Sequence, residues 1–381
     1  MRILNIVRLK IKGQRVAWIT IGWTMAALLD NINTRTIGAS RYIEVLPDYE
    51  FNFVFNINIF SAFLAGIISG SLLIFYLRER FRKASFGYAI LINALIISAL
   101  NVAISALSYT LFIAFKLGLG LFHPEVLELS SRLIQDTMFY KKLLFWFFLV
   151  MLTIIGLHVN EKYGQGILGK LIMGKYLRPR EEERIFMFVD IRSSTTIAEQ
   201  LGHLRFFELL NDFYRDLTNP IIYKSGEIYQ YVGDEIVVSW PMKEGLHNAS
   251  CLRCFYDIKA TLETLSGEYK KKYGLVPVVK AGLHCGLVTT GEIGVIKKDI
   301  VFSGDVMNTT SRIQAQCNRF GVDILLSKTL LDKLKLPPDE FPRKRVGMIE
   351  LRGRRQKVEL YSFGDEEAEV EMEKRMTRRR R

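Results

Sequence analysis

Two aspartates stand where a carboxylate could do chemistry. Asp190 ends the apolar run Ile185-Phe-Met-Phe-Val189, and Asp234 follows Gly233 between the segments Glu227–Val232 and Glu235–Trp240. Carboxylates are hard oxygen ligands, and a pair of them can share one divalent cation, or two. Magnesium or manganese suits such a pair where substrate phosphates complete the coordination shell. An Asp beside a Gly is more often an ordinary turn residue, so the elements around the two decide the matter.

A short apolar run bounded by polar residues reads as a buried strand, which puts Asp190 at a strand end. Two β-rich segments separated by Gly-Asp read as a hairpin with Asp234 at its tip. After Asp190 come Ile191-Arg-Ser-Ser-Thr-Thr196, with Thr196 and Glu199 spaced as a capping box. The helix that follows is expected to bury Leu201, Phe207, Leu210 and Phe213 and to end before Pro220. Its first turn, with Ser193, Ser194 and Thr195, would lie beside Asp190 and offer free N–H groups to phosphate oxygens. Further helices are expected at about 248–269 and from Val306. Strands are expected at 276–284, 292–302, 322–326, 345–351 and 358–363. Helices alternating with mixed strands make this an α+β layer.

The N-terminal half has another character. The chain has 381 residues, 49% of them apolar, and a formal net charge of +13. Its mean hydropathy is positive. The basic residues lie beside apolar segments and in the tail, where positive-inside topology accounts for them and no nucleic-acid partner is needed. Apolar runs near 16–29, 51–77, 85–115 and 143–158 predict an all-α transmembrane bundle of about four helices. The first run is short for a span, which needs roughly 20 residues, and a cleaved signal is the competing reading. Either way the chain after His158 lies on the cytoplasmic side of the cell's inner (plasma) membrane. The expected organisation is a membrane domain at 1–159, a Gly-punctuated juxtamembrane linker at 160–184, a soluble domain at 185–363 and a charged tail at 364–381. The tail is expected to be disordered or to face membrane lipid. The cysteines make no disulfide framework, and Cys251 and Cys254 read as helix core rather than zinc ligands.

Four motifs in order resemble the catalytic domain of class III adenylate and guanylate cyclases, in particular the membrane-anchored bacterial type. They are Phe188-Val-Asp-Ile-Arg-Ser-Ser-Thr195, Tyr231-Val-Gly-Asp234, Gly282-Leu-His-Cys-Gly-Leu-Val288 and Gly304-Asp-Val-Met-Asn-Thr-Thr-Ser-Arg312. The resemblance implies a ferredoxin-like core and a head-to-tail homodimer with active sites at its interface. It also implies two divalent cations per site, Mg2+ or Mn2+, held by Asp190, Asp234 and the backbone carbonyl of Ile191. Asn308 and Arg312 match the family's catalytic Asn and Arg, which reach the nucleotide from the opposite subunit. Arg352 stands where the family usually carries a lysine for the terminal phosphates, and keeps its charge with a bidentate fork.

Two positions depart from the family pattern. Gln230 stands where adenylate cyclases carry lysine and guanylate cyclases glutamate, and Val301 stands where the polar partner in the base pocket is usual. A glutamine amide both donates and accepts, so the base is left open. ATP is the preferred substrate because the glutamate–cysteine pair of guanylate cyclases is absent; GTP is the alternative. A receptor-like module that binds nucleotide without turnover is the remaining reading. The spans either regulate the domain or only anchor it.

Overall fold

The computed structural model describes residues 2–36, 51–81, 84–135, 137–163, 174, 176, 178–296, 298–336, 341–350 and 357–363. The chain divides into two compact units, Met1–Tyr163 and Gly164–Arg381.

Among the described residues the regular elements of the first unit are all helices. Its elements are α1 (Arg2–Thr36), α2 (Phe51–Leu72, prolonged by a π turn at Leu73–Leu77 and a last turn Arg78–Arg80), α3 (Phe86–Leu117), α4 (Pro124–Gln135) and α5 (Thr137–Tyr163). Three helical stretches, Phe55–Arg80, Gly87–Leu117 and Tyr140–Asn160, are long and apolar enough to cross a membrane. Among the described residues α1 does not join them by composition, yet it packs as a member of the bundle. Trp23 is buried, its ring meets Trp146 edge-on at 5.9 Å, and its Nε1 donates to Thr153 Oγ1 at 3.0 Å. A Cβ on Gly66 would lie 2.6 Å from Thr20 Cα, so α1 and α2 approach as closely as small residues permit. The amphipathic α4 falls in what the hydropathy pattern leaves as an outer loop.

The second unit is one eight-stranded sheet with helices on both faces. Its elements begin β1 (Arg180–Ile191), α6 (Ser194–Leu201), α7 (His203–Tyr223), β2 (Glu227–Val232), β3 (Glu235–Pro241), α8 (Ser250–Thr264) and α9 (Ser266–Tyr273). They continue with β4 (Val279–Ile293), β5 (Asp299–Ser303), α10 (Asp305–Phe320), β6 (Ile324–Ser327), α11 (Lys328–Lys333), β7 (Arg343–Glu350) and β8 (Lys357–Phe363). The order is β2-β3-β1-β4-β6-β8-β7, with β5 also on β4. The antiparallel core β2-β3-β1-β4, linked through α7 and α8, is the ferredoxin-like βαββαβ arrangement.

Alternation along β1 sets the layers. Ile185, Met187 and Val189 face α7 and α8, joining Phe213, Leu217, Cys251 and Phe255 in the main core. Phe186 and Phe188 face the other way, toward Val306 at the start of α10. Cys251 and Cys254 are free and fully buried in that main core.

Several boundaries differ from the sequence expectations. β1 begins at Arg180, so the charged run assigned to the linker's end is strand. Its charges have partners: Arg184 bonds Glu182 and Glu227, and Thr290 donates to Glu182 at 2.7 Å. The helix expected after Asp190 is two helices, broken at Gly202, whose φ of 72° ends α6. Thr196 lies inside α6 rather than capping it, Phe207 is 65% exposed, and Pro220 lies within the last turn of α7. The second expected helix is likewise divided, between Thr264 and Ser266. The strands expected at 276–284 and 292–302 are one long β4, running to Ile293, and the short β5.

Candidate functional site

β1 delivers Asp190 at its penultimate position, and the β2–β3 hairpin delivers Asp234. The hairpin turn holds Gly233 at φ 61°, the first central position of a tight turn, where a glycine is favoured. α7 pins that turn: the Tyr214 hydroxyl donates to Gly233 O at 2.6 Å, and its ring lies 4.4 Å from that of Tyr231. On the other side, Ser193 bends the chain into α6 with φ 54°, a left-handed conformation that costs a non-glycine residue about 1 kcal/mol. Arg192 holds this bend through Asp323 at 2.9 Å and the carbonyl of Val322.

The two carboxyls meet. Burial works to raise Asp190, but hydrogen bonds with Asp234, Lys280 and Gln314, and the Lys280 charge, outweigh it and hold Asp190 below the usual carboxylate range. Burial, then the hydrogen bond and charge of Asp190, push Asp234 up to about 6, while a hydrogen bond with Ser194 opposes the rise. Glu235 is pushed up to about 7, by burial first and then by Asp190 and Asp234. Three acidic groups and one ammonium therefore share this corner. Such a pair is held together only by a proton or by a cation, and the donor set fits a hard divalent ion.

Among the described residues no group of three or more His, Cys, Asp or Glu side chains is placed to hold a metal ion. Asp190, Asp234 and the backbone carbonyl of Ile191 are the groups at this corner that could hold such an ion. The Ile191 side chain is buried in the core, so only its main chain is available to the site. Ser193 and Ser194 open α6 at the same corner, with Thr195 in its first turn, where backbone N–H groups lack helical partners.

Two partners of Asp190 escape a reading of the sequence. Lys280 Nζ lies 3.0 Å from Asp190 Oδ2, and Lys280 faces Asp190 directly across the β1–β4 ladder. Gln314 Nε2 donates to the same oxygen at 2.9 Å. The signal for Lys280 was a single basic residue in the apolar strand Val279–Val288. For Gln314 it was a polar residue in phase with Val306, Thr310 and Ile313, the buried face of α10.

Asn308 and Arg312 lie on α10 one turn apart. Arg312 is two residues before Gln314, about 200° around the helix, so it points away from the corner that Gln314 touches. Asn308 is exposed. The pair thus lies on the side of α10 away from Gln314. Gln230 is exposed on β2 beside a bulge at Tyr229, and Val301 is half-buried on β5. The rings of their neighbours Tyr229 and Phe302 lie 4.9 Å apart, so Gln230 and Val301 flank one aromatic contact. Arg352 lies outside the described residues, as does the tail from residue 364.

Residues 178–364 match the family model described as the adenylate and guanylate cyclase catalytic domain. Adenylate cyclase 2 of Rhizobium meliloti is 37% identical over 207 residues, which are 54% of this chain and 57% of that protein. Adenylate cyclase of Anabaena cylindrica is 25% identical over 181 residues, 46% of this chain and 35% of that protein. The chain thus spans little more than half of the first relative's length and about a third of the second's. A solved bacterial light-regulated adenylyl cyclase shares the fold at a TM-score of 0.50 and 20% identity, over 60% of this chain and 66% of that one. Residues 178–364 are thus a catalytic domain of the adenylate and guanylate cyclase family, the class III nucleotide cyclases.

Proposed function

We propose that the chain is a membrane-anchored adenylate cyclase that converts ATP to 3′,5′-cyclic AMP and pyrophosphate in a head-to-tail homodimer. The observation that carries this is the corner where Asp190 and Asp234 meet beside the first turn of α6. Asp190, Asp234 and the Ile191 carbonyl would hold divalent cations there, Mg2+ or Mn2+, which when bound would supply acidity to the ribose 3′-hydroxyl and neutralise charge on the leaving pyrophosphate. The α6 N-terminus, with Ser193, Ser194 and Thr195, receives phosphate oxygens through backbone N–H groups. Lys280 and Gln314 keep Asp190 ionised and fixed in direction.

Asn308 and Arg312 complete the site from the second chain: Asn308 orients the ribose, and Arg312 stabilises charge on the α-phosphate as the bond forms. Their place on the side of α10 away from Gln314 is compatible with this. Gln230 and Val301 line the base, and Arg352 takes the terminal phosphates. The three apolar helices anchor the chain, with the catalytic unit on the cytoplasmic side.

Purified full-length chain in lipid nanodiscs, given Mn2+ with ATP or with GTP, tests the proposal by the cyclic product formed. Cyclic AMP in excess is expected. Cyclic GTP in excess would reassign the base, and nucleotide binding without either product would leave a receptor module.

A further inference from the structure

The helical unit holds a second concentration of polar groups, independent of the cyclase reading. Three of the four helices that form it are of a length and composition that suit a bilayer, where a polar side chain is costly unless satisfied. Asn58 is its hub. Its Nδ2 donates to Asn31 Oδ1 at 2.8 Å, and its Oδ1 accepts from Tyr109 at 2.5 Å and from Lys142 at 2.9 Å. Four helices meet there, since these residues come from α1, α2, α3 and α5. Beside the hub, Ser69 donates to Asn101 Oδ1 at 2.6 Å.

Three further groups are not satisfied in this way. Ser61 Oγ, Ser98 Oγ and Asn101 Nδ2 have no hydrogen-bond partner among the described residues. Their side chains are nevertheless 4%, 9% and 3% exposed. A buried polar atom without a partner costs about 1–3 kcal/mol, and three around one cavity call for an occupant. All three residues line a single cavity of about 60 Å3, together with Asn58, Tyr109 and Lys142. By the space one water requires, that volume takes about four or five small heavy atoms. Asp30, Asn31 and Ser105 add to the polar wall, and Ala62, Ala65, Val102 and Trp146 are among the apolar lining.

We propose that this cavity is a binding site for a small neutral molecule bearing a carbonyl or hydroxyl oxygen on a short apolar body. Charge argues for neutrality, because Asp30 and Lys142 both line the cavity with opposite formal charges. The unpartnered groups argue for an acceptor: an amide N–H and two hydroxyls are all donors, and one carbonyl or hydroxyl oxygen accepts from two of them. The alanines and Trp146 take the apolar body. The site draws on the late part of α1, the early part of α2, the late part of α3 and the start of α5. It therefore lies toward the end of the bundle opposite Tyr163, the outer end if basic segments stay inside.

The test uses full-length chain in lipid nanodiscs with 2-butanone as the probe, read by saturation-transfer NMR against protein-free nanodiscs. Saturable binding above the bilayer background is expected, and neither pentane nor propionate should compete for it. Ala65→Leu fills the cavity without removing a polar group and should weaken binding at least fivefold. Asn101→Leu should do the same, with helical content followed by circular dichroism to keep a folding defect apart. No saturable binding to the folded wild-type chain, as expected if the polar groups only join helices through water, overturns the proposal. Unchanged binding in Ala65→Leu overturns it too, and so does equal binding of pentane.

Discussion

The inward and outward faces of α10 share one 16-residue helix and serve different ends. Inward, Val306, Thr310, Ile313 and Cys317 seat the helix on the sheet, and Gln314 reaches Asp190. Outward, Asn308 and Arg312 stand one turn apart and away from that corner. The inward residues are ordered by the chain's own packing. On the proposed reading the outward pair acts in the site of a second chain, so that one protomer would carry the cation half of one site and, on the far side of a helix, the transition-state half of another.

The sharpest way to break this comparison is to remove each half. Asp190→Asn or Asp234→Asn should lower cyclase activity on the order of a thousandfold or more, because the two-metal contribution is several kcal/mol. Arg312→Ala should cost on the order of a thousandfold while the protein still binds Mn2+ and unfolds at its normal temperature. Mixing Asp190→Asn chains with Arg312→Ala chains then separates a shared site from a self-contained one. An isologous dimer in equal mixture should regain about a quarter of the wild-type rate, since half the dimers are mixed and each has one intact site. If no activity returns although the chains exchange, the two halves do not come from different chains.

Smaller effects sharpen the inward half. Gln314→Leu removes one hydrogen bond from a carboxylate, worth about 1.5–3 kcal/mol, and should weaken Mn2+ binding about tenfold or more in titration calorimetry. Acid should do likewise. Asp234 titrates at about 6 without a cation, so below that pH a proton competes, and affinity should fall as much as tenfold per unit. The stability consequence has the opposite sense. A carboxyl raised in the folded state stabilises fully below its unfolded value, near 3.8, and loses that contribution as pH rises through about 6. Cation-free protein should therefore lose thermal stability across that window, with Mn2+ restoring it. The smallest change expected is in base choice: Gln230→Lys should shift the ATP-to-GTP rate ratio several-fold toward ATP, with less effect on cation binding.

Much of the fold was legible where a local pattern and its tertiary use agree. The hairpin followed from Gly233-Asp234, and the central strand from Ile185–Val189. The start of β1 was not legible, because Glu181–Glu183 have the composition of a linker. Their strand character comes from Arg184, Thr290 and the length of β4, which no local window contains. Gly202 was missed as a helix break because the apolar spacing runs on across it. Lys280 and Gln314 belong to the site only through a ladder register and a helix phase, both set at long range. Asp190 and Asp234, by contrast, sit where strands end, and strand ends show in sequence.

Gly282 gives the site its mechanical tolerance. A Cβ there would lie 2.3 Å from the backbone nitrogen of Gln314, so α10 rests on β4 with no side chain between them. The residue at that resting point is also the one whose amide holds Asp190. A single added methyl group would jack the helix off the strand and loosen the carboxylate at the same stroke. The clearance at one glycine thus gauges how far the two faces of α10 can shift before the cation corner loses its alignment.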